Sequence, residues 1–406
     1  MSTYPELHLY INGEWRQCAD DLPVLNPATE EEIGRLPHAS IADLDDALEA
    51  AEKGFETWRQ VAPIERAKVL MKAAALMRER QEEIALAITA EHGKPLPQAR
   101  LEVIRGCEFF EWDAGEATRT YGRVIPSAPG VRYIVHHQPI GIVAAFSPWN
   151  FPMSQPCRKV AGAIAAGCSI ILKAAEETPA GPLHIAKALH DAGLPPGVCN
   201  LVFGTPAEIS DHLIRQEAVR LVAFTGSTTV GTHLTTLAAQ HMTPVLMELG
   251  GHAPVIVCED TDVKAAALSG AVRKMRNAGQ VCTSPTRFFV HESIFDEYAD
   301  IFVRRAAETV VGNGMDTGVE MGPLANERRP AALAELVEDA VAQGAELRTG
   351  GHRKGDKGYF FEPTVLTNVP DNAKVMQVEP FGPLAVINPV ASLEEGIEQA
   401  NSVPYG

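Results

Sequence analysis

Apolar positions along the chain change their period several times. In LYINGEW two short strand-like runs flank Asn12-Gly13, a pair that favours a two-residue hairpin turn. From Ile41 the period becomes helical. Leu44, Ala47, Leu48, Ala51, Phe55 and Trp58 fall on one face, with Ser40 and Asp43 as an N-terminal capping pair. The spacing predicts a second long helix from about Pro63 to His92, stopped by Gly93, and a third over roughly 97–120. Between Tyr121 and Pro139 the stretch VRYIVHHQ is extended and half polar, as in a hairpin arm reaching away from the body or an ordinary surface hairpin.

From Gly141 onward strands and helices alternate. GIVAAF, SIILK, CNLVF, LVAFT and VLMEL are short apolar runs, separated by helical patterns over 151–166, 179–192 and 229–240 and a shorter one after CNLVF. Such alternation predicts a parallel sheet with helices on both faces, and ligands at the carboxyl ends of its strands. After Gly251 a second α/β series begins: APVIV, a helix over 262–276, TRFFV, helices over 294–310 and 329–343, LAVIN and a helix near Leu393. No internal repeat or low-complexity segment interrupts the series.

Length and composition narrow the class. The chain has 406 residues, too many for one small core, and its 46% hydrophobic and 21% charged residues are those of a folded protein. A net charge of −17 disfavours nucleic acid and anionic membranes as partners. The seven cysteines (18, 107, 157, 168, 199, 258 and 282) are widely spaced and include no CxxC pair. That argues against a disulfide framework and a structural zinc site, and for a reducing compartment. The N-terminus lacks the layout of a signal peptide, and the longest uncharged apolar run, 160–172, is too short to span a bilayer. A soluble cytoplasmic protein is the expectation.

The strand ends carry the candidate chemistry. GIVAAF leads into SPWNFP, where Asn150 is either the N-cap of the next helix or an amide donor to an oxyanion. SIILK ends in Lys173, with Glu176 three residues on: a surface ion pair, or a lysine and carboxylate that hold an adenosine ribose. LVAFT runs into GSTTVG, where Gly226 and Gly231 open a helix whose N-terminus favours an anion. VLMEL ends at Glu248, either solvent-facing or a general base, beside the double-glycine joint Gly250-Gly251. In RNAGQVCTSPTRFFV, Cys282 is either a nucleophile or a small buried residue.

Taken in order, SPWNFP, LKAAEETP, FTGSTTVG, MELGGHAP, GQVC and EPFGP resemble the aldehyde dehydrogenase superfamily, over the chain from about Pro63 to its end. The resemblance implies a Rossmann-like NAD-binding domain (1–120 and 140–250), an oligomerisation arm (121–139) and a second α/β catalytic domain from residue 251. It makes Cys282 the nucleophile, Asn150 and the Cys282 backbone N–H the oxyanion donors, and Glu248 the base that activates the hydrolytic water. Trp149 and Ser227 match positions on the cofactor's pyrophosphate, and Lys173 and Glu176 those on the adenosine ribose. Glu379 and Phe381 match those at the nicotinamide ribose and ring. Gly226, Gly231 and Leu249 join the cofactor set, and Lys173 also stands with the catalytic residues. NAD is favoured over NADP because Glu176 would repel a 2′-phosphate.

RKVAGAIAAGC and RNAGQVC resemble the branch acting on succinate semialdehyde and 2-oxoglutarate semialdehyde. There Arg158 and Arg276 would clamp the distal carboxylate, with Phe151 beside the substrate. The alternatives are a general dehydrogenase for uncharged aldehydes, or a catalytically silent nucleotide-binding member. The resemblance implies a homodimer or homotetramer and no metal. Some members carry a second cysteine two residues after the nucleophile as a redox switch; Ser284 stands there. Family members continue beyond NSVPYG with the rest of the catalytic domain, part of the substrate pocket and a strand that pairs with a partner's arm, so either these residues are a partial view of a longer chain or the protein is truncated.

Overall fold

In the computed structural model, which describes residues 4–19 and 21–405, Asn12 and Gly13 take positive φ of 53° and 82°. They close the hairpin of β1 (Leu9–Ile11) and β2 (Glu14–Arg16). The start of the polar N-terminal stretch and the last residue of NSVPYG lie outside the described residues. β3 (Asp21–Leu25) and β4 (Glu32–Pro37) form a two-stranded sheet. The helix from Ile41 is α1 (Ile41–Trp58), with a reciprocal capping box: Ser40 Oγ accepts from the Asp43 N–H and Asp43 Oδ2 from the Ser40 N–H.

The single helix expected over 63–92 is two, α2 (Pro63–Glu79) and α3 (Gln81–His92), followed by α4 (Leu96–Ala117). The break is at Arg80, at φ −92° and ψ 13°, where the guanidinium donates to Asp191 at 2.6 Å. A long-range ion pair of this kind leaves no trace in local periodicity. β5 (Arg123–Ile125) and β6 (Tyr133–Val135) form an antiparallel hairpin on which Val124, Tyr133 and Ile134 are exposed.

The five expected strands are β7 (Ile142–Phe146), β8 (Ser169–Lys173), β9 (Cys199–Val202), β10 (Val219–Thr225) and β11 (Val245–Glu248). They are parallel, and the sheet order is β11-β10-β7-β8-β9-β1-β2. The connecting helices are α5 (Ser154–Ala166), α6 (Ala180–Ala192), α7 (Pro206–Ile214) and α8 (Thr228–Ala239). From β7 the chain winds first toward β9 and later back through β10 to β11. The strand order therefore reverses between β7 and β10, the place where open α/β sheets bind ligands.

The second sheet has the order β12-β13-β16-β15-β14, from β12 (Pro254–Val257), β13 (Arg287–His291), β14 (Glu346–Thr349), β15 (Thr364–Thr367) and β16 (Leu384–Val390). Only β14 runs antiparallel. Its helices are α9 (Val263–Met275), α10 (Phe295–Ala307), α11 (Arg328–Ala342), the single turn α12 (Lys374–Gln377) and α13 (Leu393–Ala400). Phe288, Phe289, Tyr298 and Phe302 are fully buried, with Phe288 and Phe302 edge-to-face at 5.0 Å. β14 and β15 escaped the sequence reading because ELRT and TVLT are short and carry no run of apolar residues.

The chain condenses into two units. One comprises residues 1–24, 32–88 and 99–249; the other 25–31, 89–98 and 250–406. The two early excursions belong to the second unit through backbone hydrogen bonds. Tyr359 N donates to Pro27 O at 2.8 Å and Leu96 N to Gly314 O at 2.9 Å. Among the described residues no helix is long and apolar enough to cross a membrane, and no cluster of His, Cys, Asp and Glu could hold a metal ion.

Candidate active site

In the first unit the sequence-predicted residues gather at the carboxyl ends of β7, β8, β10 and β11. Asn150 is 4% exposed in the loop after β7. It is not an N-cap. Helix α5 starts four residues later, and its first N–H groups donate to the buried carboxylate of Glu102 on α4, Met153 N at 2.8 Å and Ser154 N at 3.2 Å. The end of α5 is thus satisfied by Glu102 and not by Asn150. Trp149 and Phe151 are half-buried on either side, and the Trp149 carbonyl accepts from Thr178 Oγ1 at 3.2 Å.

Lys173 closes β8 with a buried side chain and pairs with half-buried Glu176. This is a sheltered pair rather than a surface one. Ser227 is the N-cap of α8, accepting from Val230 N at 3.3 Å. The exposed first turn of α8 and the Lys173–Glu176 pair offer donors and acceptors of the kind a dinucleotide's phosphates and ribose take. The two glycines here answer to packing. A Cβ at Gly226 would collide with the Phe224 ring, and one at Gly231 would stand 2.5 Å from the Leu249 side chain.

Glu248 ends the edge strand β11 and is exposed, in register with Thr225 of β10. Thr225 accepts a 2.7 Å hydrogen bond from Lys159 Nζ, a residue the sequence reading passed over. Burial pushes the Lys159 amine down to about 8; the Glu248 carboxylate opposes that shift and Arg158 adds to it. Lys159, on α5 but bonded to the end of β10 and electrostatically linked to Glu248 at the end of β11, is with its lowered pKa a candidate acid–base partner of that carboxylate. Arg158, in the second turn of α5, is exposed and lies over the Phe109 ring at 4.6 Å. Asp113, one turn beyond Phe109 on α4, is raised to about 6 by burial and by Glu116, against the pull of Arg158.

In the second unit Cys282 follows a left-handed turn. Asn277, Ala278 and Gly279 take φ of 54°, 53° and 69°. Two consecutive non-glycine residues there are strained, and side chains hold them. Asn277 N donates to Gln98 Oε1 at 3.0 Å, Asn277 Nδ2 to Gln280 O at 3.2 Å, and Ala325 N to Gln280 Oε1 at 3.0 Å. Gly279 admits no side chain, because a Cβ would fall on the Gly382 carbonyl. Cys282 is half-buried, and a Cβ on Gly251 would stand 2.7 Å from its carbonyl oxygen. Gly251, read from sequence as a joint, is thus also a close backbone approach beside the candidate nucleophile.

Glu379 is half-buried and receives the Gly251 N–H; burial raises it to about 7, against that hydrogen bond, Lys274 and Arg329. Phe381 sits at φ 42° in a turn whose carbonyl accepts from Arg329 Nη2 at 3.1 Å. Arg276 is exposed and lines, with Arg273, Val272, Val281 and Thr283, a cavity of about 610 Å³ flanking the cysteine loop. The structure therefore groups Asn150, Lys173, Glu176, Gly226, Ser227 and Glu248 in one unit, and Cys282, Arg276, Glu379 and Phe381 in the other.

A model of the aldehyde dehydrogenase family matches residues 15–406. The 4-(hydroxymethyl)benzenesulfonate dehydrogenase TsaD1 of Comamonas testosteroni is 48% identical over 401 residues, covering 98% of this chain and 83% of that one. A glutarate-semialdehyde dehydrogenase of Pseudomonas putida is 40% identical over 400 residues, with 98% and 83% covered. The crystal structure of a succinate-semialdehyde dehydrogenase from Burkholderia pseudomallei superposes with a TM-score of 0.97 at 40% identity, over 100% of this chain and 84% of that one. The chain belongs to the aldehyde dehydrogenase family and is an NAD(P)-dependent aldehyde dehydrogenase.

Proposed function

We propose that this enzyme oxidises an aldehyde bearing a carboxylate at its far end, a semialdehyde such as succinate or 2-oxoglutarate semialdehyde, with Cys282 as the nucleophile. The observation that supports the substrate class is the state of two arginines. Arg158 and Arg276 are exposed, and neither forms an ion pair among the described residues. Guanidiniums left unpaired in a chain this acidic are available to fork onto a substrate anion.

The roles follow from chemistry. Cys282 Sγ bonds to the aldehyde carbon as the carbonyl electron pair moves onto oxygen, and the Asn150 amide with the Cys282 N–H donates to that oxyanion. When bound, NAD supplies the acceptor for the hydride that leaves the same carbon. Glu248 then takes a proton from water, the water oxygen attacks the thioester, and sulfur leaves as thiolate. Lys159, coupled to Glu248, accepts that proton onward. Glu176 takes the ribose hydroxyls and repels a 2′-phosphate, which favours NAD. Trp149 and Ser227 serve the pyrophosphate, and Glu379 and Phe381 the nicotinamide end.

A second reading replaces the carboxylate by a sulfonate, favoured by the 48% identity to a protein named for a benzenesulfonate substrate. Both are oxyanions that a guanidinium fork accepts. NADH formation with three aldehydes of matched length, ending in carboxylate, sulfonate or methyl, tests the proposal. Preference for the carboxylate supports it, and preference for the sulfonate transfers the anion site to the second reading. Equal rates discard the anion site and leave a general aldehyde dehydrogenase.

A further inference from the structure

Arg158 differs from its neighbours in what it is packed against. Arg78 forks onto Glu111 at 2.9 and 2.8 Å, and Arg100 onto Glu82 at 2.8 and 2.7 Å. Arg158 meets an aromatic ring instead, with its guanidinium carbon 4.6 Å from the centroid of Phe109. A carboxylate partner uses up N–H groups, whereas the face of a ring attracts the cation and uses none. A guanidinium held over a ring therefore keeps its fork of N–H groups for another acceptor.

The place of that ring is set by helix packing and not by a loop. Within the first unit α4 and α5 run side by side in step. Glu102 receives the N–H groups of Met153 and Ser154 at 2.8 and 3.2 Å. One turn on, a Cβ on Gly106 would stand 3.0 Å from Cys157 Sγ and from Met153 Cγ. Phe109 against Arg158 is the next rung, and beyond it Asp113 Oδ2 lies 3.7 Å from where a Cβ on Gly162 would stand. Residues 102, 106, 109 and 113 share one face of α4, so the ring sits on a rigid element that is fixed above and below it. An arginine without such a support is ordered only when its ligand binds, at a cost in affinity.

We propose that Phe109 is a positioning residue for substrate specificity: its ring holds the Arg158 guanidinium with the N–H fork free for the anion at the far end of the aldehyde. The proposal rests on the reading of Arg158 as an anion-binding residue. Phe109 acts through Arg158 and not on the substrate itself.

The test measures KM and kcat in the full chain, at saturating NAD, for a carboxylate-terminated and a methyl-terminated aldehyde of matched length. A sulfonate-terminated aldehyde replaces the first if the enzyme prefers it. Phe109→Leu keeps an apolar side chain and removes the ring. It is expected to raise KM for the anionic aldehyde about threefold to fivefold, and to leave kcat and the KM of the methyl-terminated aldehyde unchanged. Phe109→Tyr, which keeps the ring, restores the wild-type KM. In an Arg158→Leu background Phe109→Leu should add nothing, because the guanidinium it serves is gone. A ring that only packs α4 on α5 would raise KM for both aldehydes alike, or in both backgrounds alike, and either result overturns the proposal. Phe109→Met serves if Phe109→Leu does not fold. If Arg158→Leu leaves KM for the anionic aldehyde unchanged, the assignment of Arg158 fails and the proposal falls with it. If Arg158→Leu raises that KM while Phe109→Leu does not, the proposal alone is overturned.

Discussion

Cys282 and Lys159 show what a single residue does and does not reveal. Read alone, Cys282 was either a nucleophile or a small buried residue, and its place among the ordered family motifs made it the candidate; it follows a strained turn in the fold. Cys282→Ser is expected to lower NADH formation at least about a thousandfold, checked by initial rates, while leaving the circular dichroism spectrum intact. Lys159 was missed because a lysine inside a helix is ordinarily a solvated residue; only the strand ends around it make it a candidate acid–base group. Its amine is charged below about 8 and neutral above. A neutral amine accepts the proton from Glu248, so kcat rises with pH through about 8. In Lys159→Met that limb should vanish from the kcat profile; a limb that survives would remove Lys159 from the proton path.

At the scale of elements, the decisive piece is the left-handed turn over 277–279. It fixes where the chain enters the cysteine loop, and it tolerates no Cβ at its third residue. Gly279→Ala should destabilise the fold by about 3 kcal/mol or more, seen in a denaturant midpoint, since it combines positive φ with a backbone clash. The capping box of α1 is the ordinary counterpart. Ser40→Ala should cost about 1 kcal/mol in the same measurement and leave KM unchanged. The sequence marked the second device through Ser40 and Asp43 but not the first, because RNAG has no composition that distinguishes a strained turn from a loose one. Glu102 belongs with the first kind. A carboxylate on α4 caps α5, and no local motif joins them.

For the whole molecule, the two arginines proposed for the substrate anion are carried by different units, Arg158 by one and Arg276 by the other. If both hold one substrate anion, their substitutions are not independent. Arg158→Leu and Arg276→Leu should each raise KM for the carboxylated aldehyde by about 10-fold to 100-fold and spare the methyl-terminated one, and the double variant should fall short of the product by about 1 kcal/mol. Strict additivity would mean that the two arginines serve different ends. The net charge of −17 makes such locally placed cations matter, because the chain as a whole repels the anionic substrates proposed for it.

The sequence alone determined the alternation that makes two α/β sheets, the strands β7 to β11 and the residues at their ends, because strand and helix periods are local properties. Side-chain chemistry left alternatives open for Asn150 and Glu248 at strand ends and for Cys282 before β13, and the family resemblance made the three candidates. The tertiary structure decided what depends on distant partners. The break at Arg80 coincides with a bond to Asp191 on α6, and the two early excursions are held by hydrogen bonds to residues more than 200 positions away. Asn150 ceased to be a helix cap only once Glu102 was found in that role, and Lys159 acquired significance only from its bond to Thr225 and its neighbour Glu248. Burial and long-range pairing are sums over the folded chain, and no window of sequence contains them.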